Sequence, residues 1–271
     1  RLNYGAGSAG PSSGWVGREN GGGLAGIFSS STINQSNARL IAGGGGGGGL
    51  GHGHSPGGPG GGPSGSAGTN SSDTQIGSTG GGGGTQSSGG PGGSAGGSSG
   101  SALQGGTGGA GQTNGYPNAG GGGGGGGGYY GGGGGGGGND NGSGTRNASG
   151  GGGGSGYVHS SVINGFTGGF ANGQNHPDRG NAGEAGQNSK IVFEGITSFD
   201  YVSTSGNNES YSVNVPANAT TMTAKVWGAG GAGVGECPSN SFSGGSGGHV
   251  EGTVPVSGGT VDVFVGGSSS G

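Results

Sequence analysis

The sequence predicts an all-β protein with essentially no α-helix, in which a β-sandwich carries an inserted bundle of extended glycine chains. One observation behind this is that 93 of the 271 residues are glycine, many in uninterrupted runs such as 43–49, 120–128 and 131–138. The other is that apolar residues fall in short alternating segments, separated by Gly, Pro and Asn, on either side of the glycine-rich centre.

The glycine runs pose a choice between disorder and backbone-only structure, because glycine has no side chain to bury. Collagen needs a strict Gly-X-Y period with abundant proline, and this chain has ten prolines without that register. A flexible linker is a Gly/Ser mixture, as 87–101 partly is. Pure glycine runs favour polyglycine II, an extended left-handed helix of about three residues per turn without internal hydrogen bonds. Rods of this kind need to pack together, since ordering a backbone costs about 1–2 kcal/mol per residue.

Strands are predicted on both sides of the glycine-rich centre. Of the Leu, Ile, Val and Phe residues, only Leu50, Ile76 and Leu103 lie between 43 and 155. In the segment 210–215, alternation places Tyr211 and Val213 on one face. The candidate strands are 24–30, 38–42, 157–163, 190–194, 199–203, 210–215, 222–227, 249–256 and 260–265.

These patterns divide the chain into four parts. Residues 1–42 carry second-half strands of a glycine-rich β module, and 43–155 form a polyglycine II and Gly/Ser-rich insert. Residues 156–195 supply closing strands, and 196–271 supply first-half strands of the next or a neighbouring module.

The strand segments resemble a secreted glycine-rich module. A strand, a Val-Pro turn and a second strand lead to WGAGG at 227–231, and a later strand ends in VGG at 265–267. The segment LIAGG at 40–44 precedes the long glycine runs. This content is similar to the extracellular glycine-rich domain of the anaplastic lymphoma kinase and leukocyte tyrosine kinase receptors, and to many bacterial and algal surface proteins.

The resemblance implies a tumour-necrosis-factor-like β-sandwich with inserted polyglycine II rods. Such rods also occur in phage tail-fibre adhesins, on a different frame. It also implies an extracellular or cell-surface location. The receptor domain is richer in cysteine than this chain, whose single Cys237 excludes an internal disulfide framework.

The order of the two halves departs from that of the module. The part corresponding to 199–271 comes first in the family, whereas here it follows the part corresponding to 1–193. Three explanations stay open: a tandem array with a period near 271 residues, subunits that complete one another head to tail, or a circular permutation completed within one chain. The first two predict an open linear assembly, because a heterologous contact that does not close makes a fibre.

Composition argues against several function classes. The formal net charge is −4, charged residues are 7% of the chain, and the basic residues are scattered, so no nucleic-acid partner is expected. No apolar run approaches the roughly 20 residues of a membrane span. GxGxxG matches arise by chance in so glycine-rich a chain, and His52 and His54 lack a nearby third metal ligand. We therefore expect no cofactor, metal or catalytic site and no enzyme activity.

The leading hypothesis is a structural subunit or tandem repeat of an extracellular fibre, whose partners are copies of itself. The alternative is an adhesin or receptor-type module that binds a protein or glycan through loops at the rod ends. Tyr116, Tyr129 and Tyr130 are the candidate binding residues for that alternative. The chain also contains six Asn-X-Ser/Thr sequons that are candidate N-glycosylation sites: Asn34, Asn70, Asn141, Asn147, Asn208 and Asn218.

Overall fold

The computed structural model describes residues 5–11, 19–51, 55–72, 77–113, 119–140, 147–169, 177–194, 199–202, 207–233 and 243–268. Within these ranges it has twelve β-strands, one 3-10 turn at Gln35–Asn37, and no α-helix. The strands are β1 (Ala25–Phe28), β2 (Ala38–Ala42), β3 (Gln112–Thr113), β4 (Asn139–Asp140), β5 (Tyr157–Val158), β6 (Ile163–Gly168), β7 (Lys190–Glu194), β8 (Phe199–Val202), β9 (Glu209–Val215), β10 (Thr221–Trp227), β11 (His249–Pro255) and β12 (Gly259–Val265).

Ten of these strands form two antiparallel sheets. The first sheet has the order β5-β2-β1-β12-β9, and the second has the order β6-β11-β10-β7-β8. The two remaining strands, β3 and β4, pair in parallel. The predicted all-β class is therefore confirmed.

One apolar cluster joins the two five-stranded sheets. Ile27 and Val263 enter it from the first sheet, and Ile191, Val226 and Val250 enter it from the second. Each of these side chains is almost fully buried, and burying a Val or Ile side chain contributes about 1.5–3 kcal/mol. The sheets therefore lie in two layers around a shared core, as in a sandwich.

The sequence correctly predicts the bounds of β2 and β7, but one predicted strand is wrong. Residues 157–163 form two strands in different sheets, since β5 ends at Val158 and β6 begins at Ile163. Between them the N–H of Val162 donates to the carbonyl of His159, and the N–H of Ser161 donates to His159 Nδ1. Local side-chain bonds of this kind compete with strand pairing and turn the chain.

Strands from both ends of the chain share the first sheet. β12 pairs with β1 from Ala25↔Val265 to Phe28↔Asp262, and it pairs with β9 on its other side. An isolated bridge between Gly22 and Ser268 extends the first of these contacts. The strands assigned to the two halves of the module thus meet within one chain, as they do in the circular-permutation explanation.

The glycine segments are held by backbone hydrogen bonds to other segments. Along 44–50, the N–H groups of successive residues donate to three different neighbouring segments in turn, so that every third residue donates to the same segment. Residues 44, 47 and 50 donate to 121–127, residues 45 and 48 donate to 229–232, and residues 46 and 49 donate to 55–58, at 2.7–3.1 Å. Successive N–H groups therefore point in three directions in turn.

Four central segments, 43–50, 120–128, 131–138 and 148–155, are each surrounded by other segments on all sides. Their residues are all buried. For 120–128, the six surrounding segments that exchange hydrogen bonds with it are 5–11, 19–23, 43–50, 104–111, 131–138 and 148–155. This arrangement is a bundle in which backbone packs directly against backbone.

Five strands continue directly into the bundle. β2 runs into 43–50 and β10 runs into 228–232, while 19–23, 148–156 and 243–248 run into β1, β5 and β11. The hydrogen bonds continue across this boundary, for example from Gly248 N–H to the carbonyl of Gly43 at 2.7 Å. The bundle thus reaches beyond 43–155 and forms one hydrogen-bonded body with the sheets.

Substitution of a central glycine should be costly. A Cβ at Gly125 would lie 2.1 Å from the carbonyl oxygen of Gly132, so we expect Gly125→Ala to lose about 1–3 kcal/mol or more of unfolding free energy. Gly169→Ala is the matched control, because a Cβ there meets no atom within 4 Å, and its change should stay within about 0.5 kcal/mol. Chemical denaturation measures both, and equal losses would contradict backbone packing as the cause.

Candidate functional site

Two of the three tyrosines predicted to bind a ligand lie in an aromatic cluster at the ends of the central glycine segments. Tyr129 and Tyr130 connect 120–128 to 131–138, and Tyr157 opens β5 after 148–156. The rings of Tyr129 and Tyr157 stack with centroids 4.0 Å apart and an interplanar angle of 7°. Tyr130 meets Tyr129 edge-on at 5.6 Å. Tyr116 lies outside the described residues.

Hydrogen bonds to the backbone and the hydroxyl group of Ser155 hold this cluster in place. Ser155 accepts the N–H of Tyr129 at its carbonyl and the N–H of Tyr130 at its hydroxyl, and its own N–H donates to the Tyr130 carbonyl. Gln35 Nε2 donates to the Tyr129 carbonyl from the 3-10 turn. The cluster therefore has a fixed geometry rather than that of a loose loop.

The tyrosines pack at the edge of a second apolar cluster. Leu103, at a positive φ of 61°, is 3% exposed in this cluster, together with residues of β1, β2 and β12. Tyr129 and Tyr157 pack against it and remain half-buried. Sequence reasoning missed Tyr157, because its contact with Tyr129 depends on how 120–128 and 148–156 lie side by side.

The cluster is suited to apolar contact and hydrogen bonding rather than proton transfer. Burial raises the pKa of Tyr129 above its ordinary value, and Tyr157 and Tyr130 raise it further. The phenol therefore stays neutral at physiological pH. Neutral phenol rings offer flat faces and hydroxyl donors, which suit the ring of a sugar or an extended peptide.

Three of the described candidate glycosylation sites are exposed: Asn70, Asn208 and Asn218. Asn218 lies in the turn between β9 and β10, where the N–H of Ala219 donates to the Pro216 carbonyl. Asn70 is exposed on an outer glycine segment, and its Oδ1 accepts the N–H of Gly80 at 2.9 Å.

The side chains of the other described candidate asparagines also take part in hydrogen bonds. Asn34 caps the 3-10 turn by accepting the N–H of Asn37, and Asn147 Nδ2 donates to the Ser72 hydroxyl at 3.2 Å. Asn208 Oδ1 accepts the N–H of Gly267. Asn141 lies outside the described residues. We therefore rank the exposed Asn70, Asn208 and Asn218 above the half-buried Asn34 and Asn147.

Charged side chains gather on the outer face of the second sheet. Lys225 Nζ lies 3.2 Å from Asp178 Oδ2 and also contacts Glu194 Oε1. Arg179 and Glu184 form an ion pair at 2.9 Å in the segment that covers this face. Burial alone would lower the pKa of Lys225, but its hydrogen bonds to Glu194 and Asp178 outweigh burial and raise it.

The described ranges contain no group of three or more His, Cys, Asp or Glu residues placed to hold a metal ion. His52, His54 and Cys237 fall outside those ranges. A cavity of about 150 Å³ beside β9, lined in part by Phe28, Ser212 and Asp262, is smaller than the roughly 300–1,000 Å³ of typical ligand pockets.

No helix in the part of the chain that the structure describes is long and apolar enough to cross a membrane.

Comparisons of the chain with protein-family models, with curated proteins and with solved structures found no match. The resemblance to the receptor glycine-rich domains therefore stays a prediction.

Tyr211 gives a pH-dependent test of the local structure. Its hydroxyl donates to the Glu209 carboxylate, and this bond, together with burial, raises the pKa of Tyr211 from 10.0 to about 12. Since the folded state favours the neutral phenol, this contribution to stability is complete below about pH 10 and is lost as the pH rises through about 12. Denaturation curves of the wild type and Tyr211→Phe should converge over that interval. A constant difference between them would contradict the assignment.

Proposed function

We propose that the chain is a non-catalytic structural subunit of an extracellular filament or surface layer, in which copies of the chain assemble head to tail. The observation that carries the proposal is the bundle itself, whose central segments exchange backbone hydrogen bonds with segments on every side. Such a body resists bending and shear, because no segment can move without breaking bonds to several others. That property serves a load-bearing element better than an enzyme.

The hydrogen-bond pattern supports polyglycine II as the conformation of the segments. An extended helix with about three residues per turn turns its N–H groups by one third of a revolution at each residue. The N–H groups of 44–50 likewise donate to the same neighbouring segment at every third residue. The two facing antiparallel sheets likewise support a tumour-necrosis-factor-like sandwich as the frame.

Two surface properties support association between copies. Exposed positions on the outer glycine segments carry small uncharged residues, including Pro91, Ser94, Thr107 and Ala110, so there is little charge repulsion between copies. Ile163 and Phe166 on the sheet-edge strand β6 are 52% and 42% exposed. An apolar edge strand is a ready template for pairing with another chain. Because β1 and β12 pair within one chain, we favour joining through such surfaces over an exchange of half modules.

Electron microscopy tests this proposal. The purified protein should form filaments whose abundance rises with concentration, and Phe166→Asp should reduce them at least about tenfold by placing a charge in the contact. Ser94→Asp is the control, since it adds the same charge on an exposed bundle position away from β6. Discrete monomers at every concentration, in negative stain and in sedimentation, would rule out the filament.

A second candidate function is a binding module of the adhesin or receptor type. The observation favouring it is the aromatic cluster of Tyr129, Tyr130 and Tyr157, held rigid at the ends of three glycine segments. Aromatic side chains with a polar end are enriched in recognition surfaces.

Loss of a tyrosine tests this second candidate. Tyr130→Ala should weaken binding to any glycan or peptide ligand found on an array by about 2 kcal/mol, roughly thirtyfold. Tyr211→Ala, a half-buried tyrosine on β9, is the control. An array without hits, or equal affinity of the Tyr130→Ala variant, would count against a binding role.

A further inference from the structure

Both lysines of this charge-poor chain meet at Asp178. Lys190 and Lys225 are its only lysines, and charged residues are 7% of the sequence. Lys190 Nζ donates to the backbone carbonyl of Asp178. Lys225 Nζ lies 3.2 Å from the carboxylate Oδ2 of Asp178, and Glu194 Oε1 contacts the same nitrogen. Two carboxylates thus share one amine, while the second amine holds the backbone of one of them.

The surroundings bury most of the Lys225 side chain and leave the Asp178 and Glu194 carboxylates partly exposed. The Lys225 side chain is 13% exposed, and Lys225 is directly paired with Val192 of β7. Val192 packs with the fully buried Trp227 and with Ala182 of the covering segment 177–189. The side chains of Asp178 and Glu194 are 39% and 46% exposed. A small molecule released between these three groups therefore has a path to solvent.

We propose that Lys225 Nζ and Asp178 Cγ become joined by an amide bond, with Glu194 as the proton carrier. One proton of the Lys225 ammonium first passes through Glu194 to the Asp178 carboxylate, which leaves a neutral amine beside a neutral carboxylic acid. The amine nitrogen then attacks the Asp178 carboxyl carbon and the new C–N bond forms. Glu194 carries a second proton from this nitrogen to the carboxyl hydroxyl group, the C–O bond breaks, and the hydroxyl group leaves as water. The ion pair already contains every atom of the amide and the water, so no oxidant, reductant or co-reactant is needed.

The distances suit this reaction. The 3.2 Å distance between Lys225 Nζ and Asp178 Oδ2 places the amine against the carboxyl group that it attacks. Reacting groups that are held in contact and aligned reach effective molarities of about 10⁵–10⁸ M, which offsets the unfavourable condensation of an amine and a carboxylate in water. Glu194 is within hydrogen-bond reach of the nucleophile, as a proton carrier must be. Its free carboxylate is needed for that role, which leaves Asp178 as the group attacked.

The bond would connect elements that are otherwise joined only by non-covalent contacts. Glu194 lies on β7, which already pairs with β10. Asp178 instead belongs to the segment that covers the outer face of the sheet. A cross-link to Asp178 therefore closes the long chain between positions 178 and 225, and closing such a loop restricts the unfolded state. This inference does not depend on the filament proposal, because the mass of a single chain tests it.

Mass spectrometry under denaturing conditions tests the bond. The wild-type chain should have an intact mass lower by one water than its sequence mass, and proteolysis should give a branched product that links the peptides carrying positions 178 and 225. A succinimide formed at an aspartate loses the same water but leaves those peptides separate, so that result would overturn the proposal.

Matched variants separate the bond from an ordinary ion pair. Lys225→Arg keeps the cation but is not a nucleophile, and Glu194→Gln removes the proton carrier, so both should show the full mass. Lys190→Arg keeps the second cation and should retain the water loss. The wild-type chain decides the question even if a variant fails to fold: the full sequence mass after prolonged incubation, or a link that maps to Glu194, would refute the assignment.

Discussion

Contact between backbones without intervening side chains is the interaction on which the rest of the structure depends. Ordering glycine has a high entropic cost, and no side-chain burial offsets it within a run. The offset comes from the bundle, where buried donors such as Gly124 N–H and Gly127 N–H reach carbonyls of the segment 19–23 at 2.9–3.0 Å. This spacing needs hydrogen at the side-chain position, because a Cβ at Gly124 would lie 2.0 Å from the carbonyl oxygen of Gly7. Each segment is therefore stable only in the presence of the others.

The two five-stranded sheets set the register in which the glycine segments pack. A free bundle of similar segments could slide by one turn with little loss, since its glycines are alike. The strands remove this freedom, because β1, β2, β5, β10 and β11 continue into segments whose register is then set by strand pairing. Side chains buried between the sheets, such as Ile27 and Val226, thus set the register of glycine segments that they do not touch. Where the bundle meets the sheets, the stacked rings of Tyr129 and Tyr157 add one of the few side-chain contacts that hold the segments in place.

Sequence patterns predicted the strands well where alternation faces a single core, as in Lys190–Glu194 and Glu209–Val215. They failed where contacts are long-range. Alternation in β10 puts Trp227 on the face opposite Ala224 and Val226, and the segment 177–189, which has no periodic signal, buries it there completely. The composition of the mixed stretch 87–101 is partly that of a linker, yet Pro91 and Ser94 are exposed at a spacing of three, with the half-buried Gly92 and the buried Gly93 between them. That Gly-Gly-X spacing was the available signal for an outer segment of the bundle.

The same close packing of backbones limits which parts of the surface can recognise a partner. Within the central segments, glycines such as Gly124 and Gly125 leave no room for a Cβ, whereas outer segments such as 105–110 expose one side chain in three. The sheets bury their facing sides in a common core. Among the described residues, the larger exposed or half-buried side chains suited to recognising a partner lie at the ends of the segments, as Tyr130 does, on the edge strand β6, and on the charged outer face around Lys225. A change of side chain at these places does not compete with backbone packing, so selection for a new partner can act on them without loss of the fold.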